Sequence, residues 1–337
     1  MPSFDFVKVH AGWDECIFIY GEQLPKGKEL PLGLSFLRRP SVRGTEIGLL
    51  YPSEANGHVR VRIIDDTAKD FIGMCGGLTQ SLGKAIVETD IGRRLGLHIV
   101  DGVNRVILDT DSGPIPIEID VQDGVVRSVT TDMKSYVDER YKFGVNLVDV
   151  DGMTLVNVGL DGHKFKEFLV LDVDELSKRY PNIDFMTKDK EALDALGRVY
   201  AAFADSLGIK LDYLYGVVYS IEKRGTPLNV CAVFRFFPWD LQPDDPLEFA
   251  CGTGTTALGI ALHKRGQITL DGEPKEVLVT VGGKHLPEGI KAHTKLTLTG
   301  TKDRVTGAWF SHDRIELIAS GKLYSLECNR PTHGDSP

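Results

Sequence analysis

The 337-residue chain contains neither a Cys-x-x-Cys nor a His-x-x-x-His cluster, so nothing in it reads as a metal site. Its five cysteines, Cys16, Cys75, Cys231, Cys251 and Cys328, are odd in number and scattered, which excludes a disulfide framework. There is no basic block and the formal net charge is −9, which argues against nucleic acid or an anionic membrane as the partner. No apolar run approaches bilayer-spanning length, and Met1-Pro2-Ser3-Phe4-Asp5 places no charged region ahead of an apolar one. A soluble, cytoplasmic protein is the expectation. No second group is placed to orient a Cys-His pair, which sets a cysteine hydrolase low among enzyme readings.

What is present is core-forming material, 42% hydrophobic against 26% charged, in a length that suits two domains. One stretch organises it, Phe249-Ala250-Cys251-Gly252-Thr253-Gly254-Thr255-Thr256-Ala257-Leu258-Gly259-Ile260-Ala261-Leu262. It returns 176 residues earlier as Met74-Cys75-Gly76-Gly77-Leu78-Thr79-Gln80-Ser81-Leu82-Gly83-Lys84-Ala85-Ile86. Aligning Cys75 with Cys251 also pairs Gly76 with Gly252, Thr79 with Thr255, Leu82 with Leu258, Gly83 with Gly259 and Ala85 with Ala261. Two equivalent halves follow from that echo. In each, a Cys-Gly step opens an apolar helix, so a cysteine sits where free backbone N–H groups attract anions and favour a thiolate. One such cysteine would read as a buried small hydrophobe. Two, on matched helices, point to chemistry across a shared cleft.

Around these helices the pattern is short strands. They are expected at Phe6 to His10, Cys16 to Tyr20, Ile47 to Tyr51, Val59 to Ile64, Gly96 to Val100, Arg105 to Asp109, Ile115 to Asp120 and Val125 to Thr130. Gly21 to Pro40 reads as surface loop. The second half offers strands at Val145 to Val150, Met153 to Val158, Tyr213 to Ile221, Val230 to Phe237, Val277 to Val281 and Lys295 to Thr299. It also offers a short helix at Lys164 to Leu169, a longer one from Lys190 to Leu207 stopped by Gly208, and a C-terminal extension.

Lys8-x-His10-x-Gly12-x-Asp14, Met74-Cys75-Gly76, Gly159 followed closely by His163, Tyr180-Pro181-Asn182-Ile183-Asp184-Phe185 and Ala250-Cys251-Gly252-Thr253-Gly254-Thr255 come in the order of diaminopimelate epimerase. From about residue 6 to about 310 the chain resembles that family and its superfamily, which includes the proline racemases and other isomerases that use no pyridoxal phosphate. The resemblance implies an α/β (α+β) fold of two pseudo-symmetric domains, each a curved sheet around a central helix. The halves are expected at 1–132 plus about 296–330, and at 133–295. It implies that Cys75 and Cys251 are the catalytic acid and base, and that backbone amides at Gly76, Gly77, Gly252, Thr253, Gly254 and Thr255 hold the substrate carboxylate. Asn182 matches a substrate-contacting asparagine, and His163 lies near the active-site histidine with one extra residue in its turn. No cofactor is implied, and relatives are often homodimers.

The family's Glu-Arg-Gly before the second cysteine is missing. In its place stands a longer interval with Arg235, Trp239, Asp240, Asp244, Asp245 and Glu248, whose acids read first as a solvated loop. Cys-Gly-Asn-Gly has become Cys75-Gly76-Gly77-Leu78, and Gly-Asn-Asp has become Gly12-Trp13-Asp14. The expectation is therefore a cofactor-independent amino-acid racemase or epimerase acting on something other than diaminopimelate. A double-bond isomerase of a small unsaturated acid, and an inactive small-acid binding protein, are the alternatives. A hydroxy amino acid dehydratase ranks lower because both cysteines are present.

Overall fold

The computed structural model describes residues 3–12, 14–53, 57–159, 168–187, 189–208, 214–237, 247–248, 251–282 and 291–324. The chain opens with β1 (Ser3–Ala11), β2 (Asp14–Tyr20), α1 (Glu29–Leu37), β3 (Glu46–Pro52), β4 (Val59–Asp65) and β5 (Asp70–Ile72). The first Cys-Gly helix, α2 (Gly76–Glu88), is followed by α3 (Ile91–Arg94), β6 (Gly102–Thr110), β7 (Gly113–Gln122) and β8 (Val125–Asp132). Helix α4 (Lys134–Phe143) leads into β9 (Val145–Val150), β10 (Met153–Val158), β11 (Phe168–Asp172), α5 (Val173–Arg179), α6 (Lys190–Leu207), β12 (Leu214–Lys223), β13 (Leu228–Phe237) and β14 (Leu247–Glu248). The second Cys-Gly helix, α7 (Gly252–Lys264), precedes β15 (Lys275–Val281), β16 (Ala292–Gly300), β17 (Val305–His312) and β18 (Ile315–Tyr324).

Pairing makes the internal repeat explicit. Strand β1 pairs antiparallel with β2, β2 parallel with β3, and β3 antiparallel with β4. Then β4 pairs antiparallel with β5 and parallel with β6, and the antiparallel run β6, β7, β8 follows. From β10 to β17 the same series recurs in the same order and sense. The outer neighbour of β1 is β18, and that of β10 is β9. Each half therefore borrows one strand that the chain reaches after leaving the other half. The extension expected at the C-terminus supplies β17 to one half and β18 to the other.

In each half the Cys-Gly helix runs inside the curved sheet. Leu78, Leu82, Ala85 and Ile86 of α2, like Leu258, Ile260, Ala261 and Leu262 of α7, are almost wholly buried among strand residues of one continuous core. Full burial of each large aliphatic side chain contributes about 1.5–3 kcal/mol. The matched glycines explain how close the strands come. A methyl at Gly83 would lie 2.7 Å from Val129, and one at Gly259 would lie 2.4 Å from Leu296. Because the outer sheet faces are covered too, β2 and β11 read as continuous apolar runs rather than alternating ones. Helix α1 covers Ile17, Ile19, Ile47 and Leu49 on one half, and α5 with α6 covers Leu169, Leu171, Val218 and Val233 on the other.

Several elements differ from expectation. Gly21 to Pro40 is not all loop, because Leu32, Phe36 and Leu37 give α1 a buried face while Pro31 sits in its first turn, where no intrahelical N–H is needed. Gly96 to Val100 is not a strand. Gly96 is left-handed at φ +73°, and the Asn104 side chain holds both the N–H and the carbonyl of Val100. Phe168 and Leu169, expected as the end of a helix, begin β11, while 164–167 lie outside the described residues. The expected α6 and its Gly208 stop, left-handed at φ +63°, are present as read.

Strand β17 carries His312, 5% exposed, edge-on to Phe310 at 4.7 Å between ring centroids. Neither of its ring nitrogens has a partner among the described residues, and burial, then neighbouring His10, pushes its pKa down to about 3. The unfolded chain takes up this proton near pH 6.5 and the folded chain does not, so stability is present above pH 6.5 and lost as pH falls toward 3. The expected loss approaches about 1.4 kcal/mol per pH unit, so Tm measured between pH 7 and 4 falls, and falls less steeply in His312→Asn. Equal acid slopes in the two proteins would refute this assignment.

Candidate active site

Cys75 and Cys251 are the N-caps of α2 and α7, and each does the same local job. The Cys75 sulfur accepts from the Leu78 N–H at 3.4 Å, and the Cys251 sulfur from the Gly254 N–H at 3.3 Å. The next amides are spent inside the helices, Thr79 N–H on the Cys75 carbonyl and Thr255 N–H on that of Cys251. The first two amides of each helix, at Gly76 and Gly77 and at Gly252 and Thr253, make no hydrogen bond among the described residues. These are the donors a bound anion would meet.

The two helix starts abut. A methyl at Gly76 would sit 2.8 Å from the Gly252 Cα, and one at Gly252 would sit 2.9 Å from the Gly76 Cα. Phe310 closes the junction from β17, which also pairs with β8 of the other half through Trp309 and Phe310. The Gln80 side chain locks α2 to this strand, donating to the Phe310 carbonyl and accepting from the His312 N–H. Two thiols are thus carried to one junction between pseudo-equivalent halves.

Their surroundings differ. A methyl at Gly77 would lie 2.1 Å from Asp14 Oδ2, so a protein carboxylate already occupies the start of α2. Glu46, on β3, comes within 3.4 Å of the Cys75 sulfur. Asp14, Glu46 and Cys75 present polar atoms that all lie within 4.8 Å of one another, and both acids are more than nine-tenths buried. Burial, Glu46 and then Asp14 push the Cys75 thiol well above its ordinary range. This corrects the expectation that the helix N-terminus would lower it, because the carboxylates and desolvation outweigh two or three amide dipoles. Among the described residues, the Cys251 sulfur meets a hydroxyl, Thr253 Oγ1 at 3.2 Å. Among the described residues, one side of the junction is anionic and the other offers donors.

The remaining expected residues fall as follows. Thr255 is fully buried, with its amide engaged in the helix and its hydroxyl without a hydrogen-bond partner among the described residues, and Gly254 spends its amide on sulfur. Thr79 is also buried, bonded to the Gly76 carbonyl and Thr131. Asn182 stands exposed in the turn between α5 and α6. His163, Trp13, Trp239, Asp240, Asp244 and Asp245 lie outside the described residues. Arg235 is wholly buried on the sheet face away from α7, where it donates to the carbonyls of Phe185 and Thr187. Lys8 is structural, bonded to Glu15 and to the carbonyls of Val42 and Arg43. Glu46 was missed from sequence because it stands at the start of an ordinary strand, 29 residues before the thiol it meets. Cavities of about 370 Å³ beside Tyr20 and Arg94 and about 250 Å³ beside His312 and Arg314 lie elsewhere, and neither is lined by Cys75 or Cys251.

No protein-family profile and no curated protein sequence matches the chain. Solved structures do. A probable proline racemase from Agrobacterium radiobacter K84, with bound carbonate, superposes at TM-score 0.61 and 14% identity, covering 97% of this chain and 94% of that one. A hydroxyproline epimerase from Agrobacterium vitis, with trans-4-hydroxy-L-proline bound, gives 0.60 at 15% identity over 96% and 92%. A methylitaconate-delta-isomerase gives 0.59 at 14% identity, over 95% of each chain. The chain has the diaminopimelate epimerase and proline racemase-like fold of these proteins. Among the described residues, no helix is long and apolar enough to cross a membrane.

Proposed function

We propose that the protein is a cofactor-independent racemase or epimerase of an amino acid, with Cys75 and Cys251 exchanging roles as acid and base on opposite faces of the α-carbon. The observation that carries this reading is the meeting of two Cys-capped helix starts at Gly76 and Gly252. The free amides of Gly252 and Thr253 suit the substrate carboxylate, and Asp14 suits its ammonium group. In that orientation the α-carbon would stand between the two sulfurs. An α-proton is weakly acidic, so the amide dipoles must stabilise carbanion-like charge in a closed cleft. Asp14 also weighs against the second reading, a double-bond isomerase, whose unsaturated acid would bring no cation to a buried carboxylate.

The test is isotope exchange. Reduced protein in deuterium oxide with a panel of amino acids and unsaturated acids is expected to place deuterium beside the carboxylate of an amino acid, followed by loss of optical purity. Exchange into an unsaturated acid with movement of its double bond would favour the isomerase. Binding without any exchange would leave a small-acid binding protein.

A further inference from the structure

The Glu46 carboxylate is held in a way that the two-thiol reading does not by itself use. Its Oε2 is anchored, accepting from Thr45 Oγ1 at 2.8 Å and from the Cys16 thiol at 3.6 Å. Its Oε1 is directed at the Cys75 thiol at 3.4 Å. The anchoring thiol is itself fully buried in β2, alongside β3 in parallel register with Glu46. One carboxylate therefore bridges two thiols, fixed by one oxygen and presenting the other. Directly opposite on β4 stands Asp65, the cross-strand partner of Glu46, itself partly exposed. Burial and then Glu46 push the Asp65 carboxyl up, so it holds a proton more readily than an ordinary aspartate. Among the described residues, the titratable groups facing Glu46 include Asp14 and Cys16 from β2, Asp65 from β4 and Cys75 from α2.

We propose that Glu46 is the proton-holding and positioning partner of Cys75, making that half of the site a Cys–Glu dyad whose far oxygen is set by Cys16 and Thr45. The inference rests on the two-thiol reading above. When Cys75 acts as base, its proton passes from sulfur to Glu46 Oε1, leaving a thiolate and a neutral carboxylic acid. The thiolate takes the substrate's α-proton, and the carbanion's electron pair accepts the Cys251 proton on the opposite face. The Glu46 proton then leaves by way of Asp65 to water, and water returns a proton to Cys251. When Cys75 acts as acid the same transfers run in reverse. Charge and protons balance in each direction, and no further reactant is needed. The arrangement accounts for a thiol placed among carboxylates, where alone it would stay protonated.

The dyad makes a two-part prediction with opposite signs. Removing the Glu46 charge makes Cys75 easier to ionise while removing its proton acceptor. In the reduced full-length protein, iodoacetamide labelling of Cys75, followed by peptide mass spectrometry across pH, is expected to shift its midpoint down by about one pH unit or more in Glu46→Gln. In the same variant kcat for exchange is expected to fall at least about tenfold. Glu46→Asp keeps the charge, so its midpoint stays near wild type and part of kcat returns. If Glu46→Gln does not fold, Thr45→Val replaces it, releasing Oε2 with the charge intact, and kcat is expected to fall several-fold. An unmoved midpoint or undiminished kcat in Glu46→Gln, or undiminished kcat in a necessary Thr45→Val, overturns the proposal. Labelling needs no substrate, so a wild-type protein that exchanges nothing would fail the racemase reading while the midpoint still tests the dyad.

Discussion

Alanine at Cys75 or at Cys251 is expected to lower the rate of racemisation at least about 10³-fold, since in the proposed mechanism each thiol supplies a proton-transfer step whose catalytic worth spans about 10² to 10⁴. The two losses are alike in size and different in kind. Each sulfur caps its own helix and faces the junction from its own half, so a variant with one thiol still addresses one face of the α-carbon. It can remove and return a proton on that face, washing deuterium slowly into one enantiomer with retention. Cys75→Ala and Cys251→Ala are therefore expected to show residual exchange with opposite enantiomers, and neither to interconvert them. Chiral chromatography and mass spectrometry on each pure enantiomer read both effects. The structural cost is small by comparison, because loss of a sulfur cap removes one weak acceptor from Leu78 or Gly254. Racemisation within about tenfold of wild type in either variant would end the two-thiol mechanism.

The repeat was legible because its signal is local. Cysteine, glycine, threonine and leucine recur at fixed offsets within a single helix, and each recurrence has a packing reason: caps at Cys75 and Cys251, helix contact at Gly76 and Gly252, strand contact at Gly83 and Gly259. Strands with clear turns at their ends, such as β9 and β10, were legible for the same reason. Pairing between distant strands was not. Asp14 and Glu46 reach Cys75 across sequence separations of 61 and 29 residues, and only the register of β2 on β3 makes them neighbours. Nothing in the alternation around Glu46 distinguishes a buried anion from an exposed one. Arg235 shows the converse, since its place in an alternating strand left both faces open until α6 and the Phe185 and Thr187 carbonyls settled which it takes. Helix α1 was hidden by glycine, proline and lysine around it, although Leu32 and Phe36 already stood four residues apart on one face.

Gly252→Ala tests the junction itself, and its expected effect is large because both surfaces that the methyl would meet are fixed. The added carbon would fall 2.9 Å from the Gly76 Cα and 3.0 Å from the Phe310 ring. Neither can turn aside as a flexible side chain could. Gly76 is backbone in the first turn of α2, and Phe310 is held by Gln80 and by the pairing of β17 with β8. The helices must move apart, and each is gripped by its own strands through Gly83 and Gly259. Overpacking of this kind costs about 1–3 kcal/mol, which lowers Tm by several degrees in a domain of this size. The functional loss should exceed the thermal one. Two thiols acting on one carbon tolerate little change in separation, and a displacement of about 1 Å costs on the order of 10²-fold in rate. Gly76→Ala meets the same backbone from the other side at 2.8 Å and is expected to behave alike. Because both substitutions act by widening one gap, the double variant should lose less than the sum of the two single losses. Thermal melts and exchange rates on the three proteins decide it, and full additivity would mean that the two glycines serve separate contacts.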